Sequence, residues 1–182
     1  MKDFTDYIWN WDFALELMQQ NKAKCQRSKE VPVSSYVNPN IGACLWKFSW
    51  WTSVKYPNMV FFMSNMADGF LTIWYNVRRK LQCESISCRI WRNDEPYPLN
   101  EFYYTNSNGE KRYIRSMKED RWSFFEMGEP LPIEDLSLYK KKYHKEKMNM
   151  EIVLEYLNKM GVSFEEIDKD VIECFTFERT AW

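Results

Sequence analysis

At 182 residues the chain is long enough to bury a substantial core, and it reads as a single domain, 1–182. Its 45% hydrophobic and 28% charged residues are those expected of a soluble globular protein, and a net charge of −1 excludes a global field that would draw in nucleic acid or an anionic membrane. Nine Trp, eleven Tyr and twelve Phe point to a core rich in strands or to a binding face.

Residues 6–23 carry Ile8, Trp11, Leu15 and Met18 at helical spacing beside a second stripe of Trp9, Phe13 and Leu17. This predicts one N-terminal helix capped by Thr5. Three Asp in the first twelve residues, without a basic run ahead of an apolar one, are unlike a signal peptide. No apolar run reaches the roughly 18 residues of a membrane span. Residues 26–42, with Pro32, Pro39 and Gly42, read as loop. In 43–54 Trp46, Phe48 and Trp50 alternate with Leu45, Lys47 and Ser49, which favours a strand, with a short helix as the alternative.

Met59–Asn65 and Phe70–Val77 flank Asp68-Gly69 and read as a hairpin. Glu84–Trp91 alternates again, and 93–98 is a Pro-containing connection. In 101–127 the Asn108-Gly109 pair predicts a two-residue type I′ turn. That register sets Thr105 opposite Arg112, Tyr104 opposite Tyr113 and Tyr103 opposite Ile114. A second turn at 118–120 leads into Arg121–Met127. Residues 134–147 place Leu136, Tyr139 and Tyr143 on one helical face. A further helix over 150–160 is capped by Asn149 and ended by Gly161. An acidic connection, 163–170, precedes a last strand, 171–177. The predicted fold class is α+β: a twisted, mostly antiparallel sheet of six to eight strands covered by an N-terminal helix and a C-terminal helix pair.

The chemistry-bearing residues are few. His144 is the only histidine and lies in a lysine-rich run, where it reads as a solvated side chain; a site with two histidine ligands is excluded. The five cysteines are odd in number and none is spaced as CxxC, which favours reduced thiols and a cytoplasmic protein over a disulfide framework or a zinc site. The five glycines fall at predicted turns, and neither GxGxxG nor GxxxxGK[ST] occurs. The carboxylate pairs Asp94-Glu95, Glu119-Asp120 and Glu165-Glu166 all lie in predicted turns. The expectation is therefore a chain without catalytic residues, metal or cofactor.

Charge is segregated along the chain. Residues 140–147 hold five Lys and one Glu, whereas 164–173 hold Glu165, Glu166, Asp168, Asp170 and Glu173 against Lys169. An acidic surface of this kind suits capture of a basic protein, because opposed fields steer encounter. Glu165, Glu166, Asp168 and Asp170, with Asp94, Glu95, Glu119 and Asp120, are the candidate partner-binding residues. Nucleic acid is the less favoured partner, since the RNP1 pattern is missing and the pI is about 6.0.

The run 112–161 contains Arg121-Trp122, Phe125, Gly128, Leu131-Pro132, Glu134-Asp135 and Tyr139, then a helix ending Tyr156-Leu157 and Gly161. It resembles the immunity proteins of bacterial contact-dependent growth inhibition and polymorphic toxin systems. The resemblance implies a cytoplasmic antitoxin, not an enzyme, that binds a cognate toxin domain and blocks its active site or its access to substrate. It transfers no functional residue onto this sequence. The alternative is an aromatic-rich module that binds carbohydrate or single-stranded nucleic acid, with Trp50, Trp51, Trp74 or Trp91 as stacking platforms.

Overall fold

The computed structural model describes residues 2–36, 43–91 and 97–182. Among the described residues, eight strands and four α-helices make an α+β fold. The strands form two four-stranded antiparallel sheets. Each sheet belongs to its own compact unit. The first joins 1–77 to 165–182, and the second spans 78–164.

In the first unit the N-terminal segment is two helices, α1 (Lys2–Trp9) and α2 (Asp12–Gln19), where the periodicity predicts one. The break follows from Asn10, whose side-chain amide donates to the Asp6 carbonyl at 2.7 Å and competes with helix continuation. Trp11 is extended, with ψ 103°. The kink lets Phe4 and Ile8 of α1 and Ala14 and Leu17 of α2 all be buried. Thr5 is not a cap; its hydroxyl accepts the Trp50 indole N–H at 3.0 Å.

The strands of this unit are β1 (Ala23–Ser28), β2 (Lys47–Ser53), β3 (Phe61–Ser64) and, after the whole second unit, β8 (Val171–Arg179). Their order is β1-β8-β2-β3, so the strand that arrives last pairs on both sides. β1 runs from the end of the predicted helix, 6–23, into the start of the predicted loop, 26–42. It is a polar edge strand; its backbone ladder with β8 is joined by cross-strand ion pairs, Lys24 with Glu178 and Arg27 with Glu173. Residues 37–42 of that stretch lie outside the described residues. One face of the sheet is aromatic: Phe177 stacks on Phe48 at 5.1 Å, Phe175 on Trp50 at 5.4 Å, and Phe4 of α1 meets Trp50 and Phe62. The other face has a buried polar centre, where the Ser49 hydroxyl lies 2.6 Å from both the Tyr36 and Thr176 hydroxyls.

Phe70–Val77 is not a strand. Phe70 closes a turn, and 71–77 belongs to α3 (Leu71–Leu81). Gly69 and Phe70 both have positive φ, 69° and 58°, and the Asp68 carboxylate accepts the Phe70 N–H at 2.9 Å. That turn redirects the chain away from β3. Phe70, Ile73 and Val77 are buried at helical spacing, and Arg78, Arg79 and Lys80 occupy the negative end of the helix dipole.

In the second unit β4 (Ser85–Ile90), β5 (Leu99–Thr105), β6 (Lys111–Lys118) and β7 (Trp122–Met127) form a meander. The hairpin at Asn108-Gly109 is present, but its loop is one residue longer than predicted. Gly109 N–H closes a turn on the Asn106 carbonyl, and Asn106 N–H bonds the Glu110 carbonyl. Gly109 takes the left-handed position of the resulting bulge, with φ 88°. The register shifts accordingly: Tyr104 faces Arg112, Tyr103 faces Tyr113 and Phe102 faces Ile114. Alternation then puts Arg112 on the same face as Phe102 and Ile114, the face covered by α4 (Met150–Lys159).

α4 starts at Asn149, whose Oδ1 accepts the Ile152 N–H at 2.9 Å, and ends at Gly161 with φ 82°. Both boundaries match the predicted cap residues. Residues 134–147 do not form a helix; they carry two short 3-10 turns, Leu138–Lys140 and His144–Glu146. Asp135 Oδ1 accepts from both the N–H and the hydroxyl of Ser137, a local turn that competes with helix.

Candidate functional site

The predicted partner-binding acids fall in separate places. Glu165 and Glu166 are in a 3-10 turn, Phe164–Glu166, that leads through Asp168 and Asp170 into β8. Glu165, Asp168 and Asp170 are exposed, whereas Glu166 is half-buried and paired with Lys55. Beneath them the backbone is pinned. The Trp51 indole donates to the Ile167 carbonyl at 2.6 Å, and Val54 N–H donates to the Asp170 carbonyl at 2.9 Å. Asp170 has φ 49°, a left-handed conformation that Asp and Asn tolerate better than other side chains. Glu173, further along, is paired with Arg27. Among the described residues no ion pair engages Glu165, Asp168 or Asp170. Glu119 and Asp120 are exposed in the β6–β7 turn of the second unit. Asp94 and Glu95 lie outside the described residues.

The tryptophans offered as stacking platforms divide. Trp50 and Trp51 are fully buried, so neither presents a face to a ligand; Trp74 and Trp91 are half-buried.

Two buried carboxylates, neither marked by sequence pattern as a site, sit in the second unit. Glu101 is 3% exposed and takes the Arg89 guanidinium bidentately, at 2.9 and 2.6 Å, and the Tyr113 hydroxyl at 2.5 Å. Burial first, and then donation to Glu101, push the Tyr113 hydroxyl up to about 12. Glu134 has a fully buried side chain and accepts from Arg112 Nε and Nη2 at 2.9 and 2.7 Å, from Leu131 N–H at 2.8 Å and from the Tyr139 hydroxyl at 2.8 Å. Tyr139 in turn lies 2.9 Å from the Tyr156 hydroxyl. Arg112, 2% exposed, also donates to the Gly128 carbonyl at 2.9 Å and to Glu126 at 2.6 Å. Burial opposes its charge, but the bonds to Glu134 and Glu126 hold the guanidinium above its ordinary range.

Both carboxylates are engaged by donors from within the fold. With both oxygens already receiving donors, Glu134 has no free lone pair aimed at a substrate. Strand alternation points Glu101 away from Phe102 and the α4 face, so the two buried acids lie on opposite faces of one sheet and do not converge. Burial also pushes the thiol of Cys25 up to about 11 and raises those of Cys88 and Cys174, which disfavours a thiolate nucleophile at any of them. Among the described residues no group of three or more His, Cys, Asp or Glu is placed to hold a metal ion. No helix among them is long and apolar enough to cross a membrane.

Gly128, Leu131, Glu134, Tyr139 and Tyr156, which all belong to the run quoted above for its resemblance, meet in this one lock. Gly128 is its tightest point: φ is 86°, and a Cβ there would stand 1.9 Å from the Lys111 carbonyl oxygen. Gly128→Ala is expected to cost about 1–3 kcal/mol by forcing the backbone out of place. Chemical denaturation checks it, with Gly161→Ala, where nothing crowds the added methyl, as the milder comparison.

Compared with known proteins, the chain matches no family model, no curated protein and no solved structure.

Proposed function

We propose that the chain is an immunity protein: a cytoplasmic antitoxin that binds a basic toxin domain and blocks its active site or its access to substrate. The observation that carries this reading is the acidic turn at 165–170. Three exposed carboxylates, without an ion-pair partner among the described residues, stand on backbone held by the buried Trp51–Ile167 hydrogen bond and by the Val54–Asp170 backbone bond. A surface fixed before encounter loses little freedom on binding, and its unpaired charge accelerates association with an oppositely charged partner. The resemblance supports the same reading. Its residues form an internal lock, as expected of a shared scaffold that leaves the contact surface free to vary.

The partner to test is the C-terminal domain of the protein encoded beside this chain. Co-expression is expected to protect cells from that domain. The variant Glu165→Lys, Asp168→Lys, Asp170→Asn removes the charge, spares Glu166 for Lys55 and keeps a residue that suits the left-handed backbone at 170. It is expected to slow association at low salt by about tenfold or more, with little change in dissociation. Unchanged association and unchanged protection would place the docking surface elsewhere.

A further inference from the structure

The tip of the β5–β6 hairpin brings an electrophile and a nucleophile together. Asn108 is exposed, and among the described residues no hydrogen bond engages its side-chain amide. Of the asparagines in the chain, Asn108 alone precedes a glycine. Nothing stands within 4 Å of the place where a Cβ of Gly109 would be. Neither a side chain at 109 nor a bond to the amide therefore blocks the Gly109 nitrogen from the Asn108 Cγ. One contact restrains that approach. Gly109 N–H donates to the Asn106 carbonyl at 3.0 Å, and attack requires this bond to open. It lies at a tip where Ser107, Asn108 and Glu110 are all exposed, and such tips open most readily.

Two related positions lack this freedom. Asp68-Gly69 has the same spacing, but Asp68 Oδ1 accepts the Phe70 N–H at 2.9 Å, and a carboxylate is a poorer electrophile than an amide. Asn106 precedes the small Ser107, but its amide is held at both ends: Oδ1 accepts the Glu110 N–H at 2.9 Å, and Nδ2 donates to the Glu110 carboxylate at 2.6 Å.

We propose that Asn108 is a site of spontaneous covalent modification, passing through a succinimide to isoaspartate and aspartate, and that the isoaspartyl form loosens the sheet of the second unit. The Gly109 nitrogen gives its proton to water and bonds to Asn108 Cγ. The Cγ–Nδ2 bond breaks, and Nδ2 takes a proton from water and leaves as ammonia. A water then opens the ring. Opening at the side-chain carbonyl leaves aspartate; opening at the main-chain carbonyl leaves isoaspartate, with the chain running through Cβ and Cγ. A water enters, an ammonia leaves, and nothing is oxidised or reduced. The products differ in effect. Aspartate keeps the main chain and adds only an exposed charge. Isoaspartate adds a methylene to the main chain inside the loop that the Asn106 N–H closes on the Glu110 carbonyl. Loop length sets hairpin register. Here the register carries Arg112, just past the loop, to the α4 face and to Glu134. The site does not rest on the antitoxin reading, since the acidic turn belongs to the first unit and this hairpin to the second.

The test ages the full chain in mildly alkaline buffer at physiological temperature. Peptide mass mapping, ammonia release and methyl transfer by an isoaspartyl methyltransferase read the products. Asn108 is expected to convert before any other asparagine, with isoaspartate in excess, and faster still in the urea-unfolded chain, where the turn bond is gone. Asn108→Gln, whose imide ring closes far more slowly, is expected to lose the methyl acceptance. The aged acidic fraction, separated by anion exchange, is compared with fresh Asn108→Asp, which has the same charge and an ordinary main chain. The aged fraction is expected to melt about 2–4 °C lower and to exchange the amides of Thr105, Asn106 and Lys111 faster. An Asn108 that keeps its amide in the folded chain, or that outlasts another asparagine, overturns the proposal. So does aspartate without isoaspartate, or an aged fraction that melts and exchanges like Asn108→Asp.

Discussion

Glu134→Ala is expected to destabilise the chain by about 3–5 kcal/mol, read as a lower denaturation midpoint at unchanged slope. The loss does not measure the strength of the ion pair. Arg112 and Glu134 were both taken out of water, at 2% and 0% side-chain exposure, and removing one leaves the other charged and buried. Glu126 softens the loss only in part, because its carboxylate is 42% exposed and screened by water. The Leu131 N–H and the Tyr139 hydroxyl lose their acceptor in the same step. The double variant Arg112→Met, Glu134→Leu removes both charges and keeps volume. It is expected to recover the part of the loss that comes from the stranded Arg112 charge, but not the part from the Leu131 N–H, Tyr139 hydroxyl and Gly128 carbonyl that it also leaves unpaired. If the double variant is as unstable as the single one, the stranded charge is not what the single variant loses, and the bonds to Leu131, Tyr139 and Gly128 carry the cost.

How this lock looked in the sequence shows what patterns reach and what they miss. Alternation found β4, the Asn108-Gly109 turn and the turn at 118–120 found β5, β6 and β7, and Asn149 and Gly161 bounded α4, because those signals are local. The pairing Arg112–Glu134 is not local. It depends on a hairpin register that Asn108-Gly109 sets in either of two ways, and the one-residue difference decides that Tyr104 rather than Thr105 faces Arg112. β1 was hidden because an edge strand paired through its backbone needs no apolar alternation. α3 was hidden because its aromatic and β-branched residues favour strand, while the deciding feature is two consecutive left-handed residues at 69 and 70. Of the candidate site, the acidic run was legible as composition. Which of its carboxylates are free was not, since Lys55 and Arg27 come from distant parts of the chain.

The strand that arrives last is the one the first unit depends on. β8 hydrogen-bonds to β1 on one side and β2 on the other, so without it β1 loses its ladder and β2 keeps only the short one with β3. Its side chains add to this. Phe177 is fully buried and stacked on Phe48, whose ring also meets Trp50, Phe62 and Phe70. Phe177→Ala would leave a cavity bounded by large rings that cannot collapse into it, which puts the cost at the full range for such truncations, about 3–5 kcal/mol. Phe177→Leu keeps most of the volume and is expected to cost less than half as much. Amide exchange locates the effect: protection should fall across β1, β2 and β8 together, because all three share the ladders that Phe177 holds closed. Loss confined to β8 would mean that β1 and β2 find another partner. That is hard to reconcile with the order β1-β8-β2, in which they never touch.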